Sequence, residues 1–377
     1  MATVETKRAI ADFTAKQKQP YSFKKRYAAV RAREFYNDPR VDGNVCVSVG
    51  GLDSIVLTVF LHSLNIPAVP VSVSALEDKS VQKVHKALGV KGLKPYKSKV
   101  QVLRDCGFPV ISKAKAKKIN LLQTVGNQKQ TFIHAIMTGD MGEQGKFQHS
   151  DKIKLPDKWL KLFAGNYAEH RPDLKCKSAP FPVGADCCKW MKELPVQDWQ
   201  KENGCFPYLG LMASEGGQRE NALKRNGCNY FGKEVTRSCP FAIFMRDDIL
   251  RLALEMDAYY QDHWKEFNPD PKARVESIIP AIYGGIERRE DGTLYTTKAQ
   301  RTGCQMCGFG IHIEKRPHRF DRLRERSPKE WEFWMYGCAT DPETGEKYGW
   351  GRVLDWIGVP WRDYPDGNFD GQVSLWE

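Results

Sequence analysis

The sequence predicts an α/β protein with a mostly parallel sheet, and two observations carry that prediction. A short apolar run that ends near Val49 leads through Gly50 and Gly51 into the apolar segment 55–64, which is the pattern of a strand, a tight turn and a buried helix. Strand-like and helix-like segments then alternate along the chain, and this alternation favours parallel strands joined by helical crossovers. A chain of 377 residues that is 41% hydrophobic can bury a large core around such a sheet.

The other elements are predicted from periodicity, in chain order. Basic and apolar residues mix in the first forty positions, which predicts a basic helical cap at 1–40. The main α/β domain is expected at 41–240, with a second strand at 68–73, helices at 80–88, 98–105 and 114–125, and a strand at 207–213. Within it, the polar and weakly periodic stretch 128–158 predicts a long loop. A smaller unit is expected at 241–377, beginning with a helix at 247–256.

Composition narrows the classes of protein to consider. No run of eighteen apolar residues occurs and the amino terminus is polar, so we expect a cytoplasmic protein with no membrane partner. Eleven cysteines without a secretory signal favour thiols or metal ligands over a disulfide framework. The formal charge of +12 favours binding of anions. The anion could be a nucleotide or nucleic acid, or the charge could belong to a basic surface that only solvent and counterions cover.

The glycine turn is the first candidate site. In the segment 48–54, the backbone N–H groups and the dipole of the following helix converge on one point, which suits a phosphate. Gly50 and Gly51 let the backbone approach phosphate oxygens, Ser54 can donate its hydroxyl, and Asp53 can hold Mg²⁺ or shape the loop. The alternative is an ordinary strand-to-helix turn in which Asp53 or Ser54 caps the helix.

Two cysteine pairs form the second candidate site. Cys187 and Cys188 are adjacent, and Cys304 and Cys307 form a C-x-x-C. Four thiolates satisfy Zn²⁺ or a [4Fe-4S] cluster equally well by number. The alternative is four buried, reduced thiols that bind nothing. Three isolated cysteines could be substitute ligands but are expected to pack in the core, namely Cys205, Cys228 and Cys239.

These motifs resemble those of a known family. The glycine segment is similar to the SGGxDS pyrophosphate loop of the adenine nucleotide alpha-hydrolase superfamily, the PP-loop ATP pyrophosphatases, which include the phosphoadenosine phosphosulfate (PAPS) reductase family. The resemblance implies a Rossmann-like (HUP-type) fold and nucleotide phosphate binding by five residues, Ser48, Gly50, Gly51, Asp53 and Ser54. Val49 departs from the pattern, because the family has its first serine there. The Cys-Cys pair with a distant C-x-x-C resembles the cluster-binding members, which favours a [4Fe-4S] cluster on Cys187, Cys188, Cys304 and Cys307.

Three further stretches extend the resemblance to about 44–334. They are 107–113, 210–219 and 316–320. By this likeness Glu215, Arg219 and Lys113 are expected to face the nucleotide, although surface-exposed Arg and Lys side chains are the commoner outcome. A basic group follows the C-x-x-C, and it could bind a polyanion, neutralise a cluster or lie on a solvated helix face; it comprises Lys315, Arg316, His318, Arg319 and Arg322.

The carboxy terminus separates three functional hypotheses. Sulfonucleotide reductases of this family carry a catalytic cysteine in a Glu-Cys-Gly-Leu-His tail, whereas this chain ends Gln-Val-Ser-Leu-Trp-Glu and its last thiol is Cys338. Three hypotheses for the function follow. The first is an enzyme that binds ATP with Mg²⁺ and cleaves the α–β phosphate bond through Asp53, Ser54 and Arg219. It would thereby activate an acceptor, such as DNA or tRNA, for sulfur transfer from a donor protein. The second is reduction of PAPS to sulfite by Cys338 or an external thiol, and the third is a non-catalytic nucleotide- or DNA-binding regulator.

Overall fold

The computed structural model describes residues 4–124, 130–299, 304 and 307–362. These residues form two compact units. The first contains 4–95, 192–299 and 304, and the second contains 96–124, 130–191 and 307–362. These boundaries differ from the ranges 1–40, 41–240 and 241–377, because the stretch 96–191 belongs with residues that follow the C-x-x-C.

The elements are as follows in the described part of the chain. The helices are α1 (Val4–Gln17), α2 (Tyr21–Tyr36), α3 (Leu52–Ser63), α4 (Lys79–Ala87), α5 (Lys99–Cys106), α6 (Lys113–Thr124), α7 (Gln130–Thr138), α8 (Asp157–Phe163), α9 (Leu194–Glu202), α10 (Gly217–Asn226), α11 (Arg246–Phe267), α12 (Pro280–Tyr283), α13 (Arg319–Arg326), α14 (Pro328–Glu332) and α15 (Trp350–Ile357). The strands are β1 (Val45–Ser48), β2 (Val69–Ser72), β3 (Lys91–Gly92), β4 (Val110–Ile111), β5 (Phe206–Tyr208), β6 (Asn229–Phe231), β7 (Thr236–Ser238), β8 (Ile286–Arg288), β9 (Leu294–Thr296), β10 (Gly308–Phe309), β11 (Ala339–Thr340) and β12 (Lys347–Tyr348).

A six-stranded sheet organises the first unit. Its strand order is β3-β2-β1-β5-β7-β6, and every pairing is parallel except that of β6 with β7. Three consecutive residues of β1 are fully buried, as expected for a strand covered on both faces. The predicted mostly parallel α/β sheet is therefore confirmed.

Helices cover this sheet and bury a continuous core. Apolar residues occupy most of α3, which packs against α11. The predicted amino-terminal helices are present as α1 and α2, and Lys24 of α2 is buried in an ion pair of 2.6 Å with Asp248 of α11. Both charges of this pair lose their water on folding, so the removal of either residue would leave the other charge buried and unpaired. The ion pair therefore links α2 to α11.

The second unit is built around aromatic side chains. It carries the short parallel pair β4–β10 and the antiparallel pair β11–β12. Phe108 and Trp350 meet edge to face at its centre, with ring centroids 5.1 Å apart. Two π-helical turns occur in the described chain: Lys189–Glu193 follows Cys187 and Cys188, and Phe333–Gly337 precedes Cys338 in this unit.

Several predicted elements differ from the observed ones. The expected loop at 128–158 contains α7, because Ile133, Ile136 and Met137 place apolar side chains on one buried helical face within an otherwise polar stretch. The strand expected at 207–213 ends at Tyr208, and the helix expected at 247–256 continues to Phe267. No helix among the described residues has the length and apolarity needed to span a membrane.

Candidate functional site

The glycine loop lies at the carboxyl end of the central strand β1. From β1 the chain proceeds to β2 and β3 on one side of the sheet, and β5 and β7 lie on the other side. The strand order therefore reverses between β1 and β5. Open α/β sheets bind ligands at this reversal, outside the carboxyl ends of the strands. The predicted strand, loop and helix are confirmed here, with β1 ending at Ser48 and α3 beginning at Leu52.

Ser54 closes the loop on itself. Its Oγ accepts a hydrogen bond of 2.7 Å from the Gly50 N–H and donates one of 3.0 Å to the Gly51 carbonyl. The serine hydroxyl thus holds the turn in shape, where the sequence predicted a phosphate donor. Ser48 also has a protein partner, since its Oγ accepts a bond of 3.2 Å from the Gln200 amide. Val49, which replaces the family serine, is buried in the core.

Two further side chains hold the loop from elements distant in sequence. The Tyr283 hydroxyl of α12 accepts the Leu52 N–H at 2.6 Å, so it binds the first backbone amide of α3. The His85 imidazole of α4 contacts the Gly50 carbonyl, with Nε2 at 2.8 Å from the oxygen. Neither contact was predicted from the sequence. A single Tyr or His in an amphipathic segment does not indicate which distant loop its side chain will contact.

Two glycines at this site have different structural roles. A Cβ added to Gly50 would approach only the Ser54 Oγ, at 3.8 Å, and Gly50 has no left-handed backbone angle. No described residue therefore requires a glycine at position 50, and the position has room for at least a methyl group. A Cβ on Gly210, which follows β5, would lie 2.8 Å from the Asp53 carbonyl carbon and 2.9 Å from the Ser54 nitrogen. Gly210 is therefore required for the close approach of two backbones.

Replacing Gly210 with alanine is expected to lower the free energy of unfolding by about 1–3 kcal/mol, because the atoms in its way are main chain and cannot rotate aside. Urea denaturation followed by circular dichroism measures the loss. Gly285→Ala is the control, since a Cβ there would approach nothing closer than 3.8 Å. Equal stability of the two variants would show that the close approach of Gly210 to the loop is not needed.

Asp53 faces a cation that the sequence did not predict. Arg246, the first residue of α11, places its Nη1 3.6 Å from the Asp53 Oδ1, and both side chains are partly exposed. The arginine can neutralise Asp53 or an anion bound beside it. A magnesium ion on Asp53 would have to share the carboxylate with this guanidinium.

The other predicted nucleotide contacts come from segments outside the glycine loop. Arg219 donates to Glu215 at 2.6 Å, an i,i+4 pair in which Arg219 is half exposed and Glu215 is 10% exposed. Both residues follow β5, on the side of the sheet where the strand order reverses. Lys113 is the first residue of α6 and belongs to the second unit, whereas the glycine loop belongs to the first.

Three of the four predicted metal-binding cysteines, Cys187, Cys188 and Cys307, belong to the second unit. The hydrogen bond between the Cys187 and Cys188 thiols, together with burial and the neighbouring Cys188 and Cys307 sulfurs, raises the pKa of Cys187. Cys187 is buried, whereas Cys188 and Cys307 are half buried. Thiolate sulfur is a ligand of both iron and zinc, so the donor type fits either metal. Cys304 is half buried at the end of the first unit, three positions before Cys307.

No disulfide links any of the eleven cysteines, all of which are in the described part of the chain. Nor do the described His, Cys, Asp and Glu side chains include a group of three or more already arranged as metal ligands. Cys228 and Cys239 pack in the core as predicted. Cys205 does not: it is half buried, because it precedes β5 at the edge of the core.

Three arginines of the basic group after the C-x-x-C are paired with buried carboxylates, namely Arg316, Arg319 and Arg322. Arg319 and Arg322 both bind Glu314, whose side chain is 1% exposed. Arg319 also donates to the Cys307 carbonyl at 2.8 Å. The Arg319 guanidinium therefore holds the backbone at Cys307.

Asp321 is the other buried carboxylate, and its charge should make stability depend on pH. Burial alone would raise its pKa, but hydrogen bonds from His318 and Arg316 outweigh burial and lower the pKa to about 2 from an ordinary 3.8. The carboxylate therefore contributes stability that is fully present above pH 3.8 and lost as the pH falls toward 2. The expected loss is about 2 kcal/mol.

Urea denaturation between pH 5 and pH 2, followed by tryptophan fluorescence, measures this dependence. The Asp321→Asn variant should be less stable at pH 5, because the charge-assisted bonds to Arg316 are gone, and should show a smaller decline toward pH 2. An identical pH slope in the two proteins would contradict the assignment.

Cys338 is not available as a nucleophile in this structure. It is 3% exposed, and its thiol donates to the Trp334 carbonyl at 3.2 Å. Burial raises its pKa to about 12, so the thiol stays protonated at neutral pH. This environment does not support the substitution of Cys338 for a catalytic tail cysteine. The tail itself lies outside the described residues.

Comparison with known proteins yields no relatives: no family model matches the chain, and neither the curated proteins nor the solved structures contain a significant match.

Proposed function

We propose that this protein is an enzyme that binds ATP with Mg²⁺ at the glycine loop and cleaves the α–β phosphate bond. The observation that carries the proposal is the place of the loop: it follows the central strand at the reversal of strand order, and the position of Gly50 has room for at least a methyl group. The motif resemblance to PP-loop ATP pyrophosphatases of the PAPS reductase family, with a HUP-type fold, supports the same assignment.

The residues of the loop suggest how cleavage would proceed. An oxygen of the acceptor would attack the α-phosphorus and form a bond to AMP, while the bond to the bridging oxygen breaks and pyrophosphate leaves. The Gly51 amide, with the dipole of α3, would stabilise the negative charge on the leaving pyrophosphate. Asp53 and Arg246 would orient Mg²⁺ and phosphate oxygens, and Arg219 would approach from the segment after β5.

The cysteines would hold a [4Fe-4S] cluster in this proposal. Cys187 and Cys188 are adjacent in the sequence, Cys307 acts electrostatically on Cys187, and Cys304 would be the fourth ligand by its spacing from Cys307. When bound, the cluster would supply sulfur-transfer or redox chemistry on the acceptor side. The Arg319 contact to the Cys307 carbonyl would fix the backbone of one ligand.

A nucleic-acid acceptor is consistent with the net charge of +12. In this scheme DNA or tRNA would be adenylated at the attacked position, and a sulfur donor protein would then replace the AMP. The acceptor and the donor are proposals that rest on charge and on the motif resemblance.

Incubation with α-labelled ATP and Mg²⁺, with and without tRNA or duplex DNA, tests the reaction. The expected products are AMP, or an AMP–acceptor adduct, and pyrophosphate in equal amounts. ADP and phosphate would contradict cleavage at the α–β bond. Sulfite from PAPS would instead support the reductase hypothesis, and binding of ATP without turnover would support a regulator.

A further inference from the structure

His85 has an unusual position for a histidine in a helix. It lies on α4, is 1% exposed, and reaches the Gly50 carbonyl with its Nε2 at 2.8 Å. Its Nδ1 lies 2.9 Å from the Ser74 Oγ. Both ring nitrogens are thus engaged inside the first unit, and one of them contacts the loop proposed to bind phosphate.

The partners determine which nitrogen carries the proton. A carbonyl oxygen can only accept, so Nε2 must be the donor to Gly50, and the neutral ring then accepts the Ser74 hydroxyl at Nδ1. Burial lowers the pKa of His85, which keeps the ring neutral. The charged groups near it are Glu77 and Lys192, which form an ion pair and act on the ring in opposite directions.

The hydrogen bond to Gly50 also orients the next amide. In a trans peptide, the C=O of one residue and the N–H of the following residue point in opposite directions. Because His85 holds the Gly50 carbonyl toward α4, the Gly51 N–H is directed away from α4. Ser54 holds the two neighbouring peptides through the Gly50 N–H and the Gly51 carbonyl. The His85 contact is thus the bond that opposes a flip of the peptide between Gly50 and Gly51.

We infer that His85 is a positioning residue for phosphate binding: through the Gly50 carbonyl it directs the Gly51 N–H toward the phosphate. The inference rests on the proposed function of the loop. His85 belongs to a separate helix and does not itself contact the phosphate. Its role is to control whether the loop presents the Gly51 N–H to the phosphate.

The test compares three variants by calorimetric titration with inorganic pyrophosphate and, separately, with ATP, both with Mg²⁺. His85→Leu removes the donor and should weaken binding about 10-fold or more. His85→Gln keeps an amide donor at a similar reach and should stay within about 3-fold of wild type. His62→Leu is the control, because His62 is a histidine of the same unit that contacts Tyr259 and Phe267 instead of the loop.

The outcomes separate this inference from the function on which it rests. Two results would overturn the positioning role alone, provided that the wild-type protein binds. One is an unchanged affinity in the His85→Leu variant. The other is a loss of affinity in the His85→Gln or His62→Leu variant as large as that in His85→Leu. Wild-type protein that binds neither pyrophosphate nor ATP would overturn the proposed function and this inference together. If the His85→Leu variant does not fold, the Ser74→Ala variant replaces it. This substitution removes the hydroxyl that donates to the His85 Nδ1 and should weaken binding about 3-fold. Unchanged binding in this variant would contradict the inference.

Discussion

Replacing Gly50 with alanine is expected to weaken ATP binding about 100-fold while leaving the fold intact. The added methyl group meets only the Ser54 Oγ, at 3.8 Å, in the ligand-free protein, so the free energy of unfolding should stay the same or rise by up to about 1 kcal/mol. With a nucleotide bound, the same methyl group would occupy the space that the phosphate needs, and an overpacked contact that costs about 3 kcal/mol lowers the affinity about 100-fold.

Calorimetry with ATP and Mg²⁺ and urea denaturation of the same samples measure both quantities. Gly92→Ala is the matched control, because a Cβ at Gly92 in β3 would meet nothing within 4 Å and the residue is outside the loop. Wild-type affinity in the Gly50→Ala variant would mean that phosphates do not approach this glycine. Loss of stability in that variant would mean that the glycine is required by the fold itself.

Replacing Cys187 with serine is expected to reduce the iron content of anaerobically purified protein from about four atoms per chain to below one. Cys187 is buried and adjacent in the sequence to Cys188, and a serine hydroxyl is a weaker iron ligand than a thiolate, so the substitution would remove one of the four proposed ligands. Iron and sulfide analysis, with visible absorbance, gives the measurement. It does not depend on knowing the substrate.

Cys176→Ser is the control for the cluster experiment, because Cys176 is also in the second unit and is half buried, but is not one of the four proposed ligands. Its iron content should equal that of wild type. Zinc in place of iron would assign the four cysteines to a structural metal site. Iron that persists in the Cys187→Ser variant would rule out Cys187 as a ligand.

The elements that could be predicted from the sequence are those defined by local pattern. The apolar run of β1, the glycine turn and the apolar helix α3 occur consecutively, and periodicity alone identifies each of them. The alternation of strands and helices likewise predicts a parallel sheet. The adjacent cysteines and the C-x-x-C are visible for the same reason, because each motif is contained in a few consecutive residues.

The tertiary structure decided how distant residues meet at the loop. Four residues from distant segments lie against the turn or the first residues of α3, each at a different atom. They are His85 of α4, Gly210 after β5, Arg246 of α11 and Tyr283 of α12. No local pattern encodes such meetings, since they depend on how the sheet orders its strands and on which helices cover it. The sequence alone therefore determined the turn and the chemistry available to it, whereas long-range packing determined which side chains hold it and which backbone amides it presents.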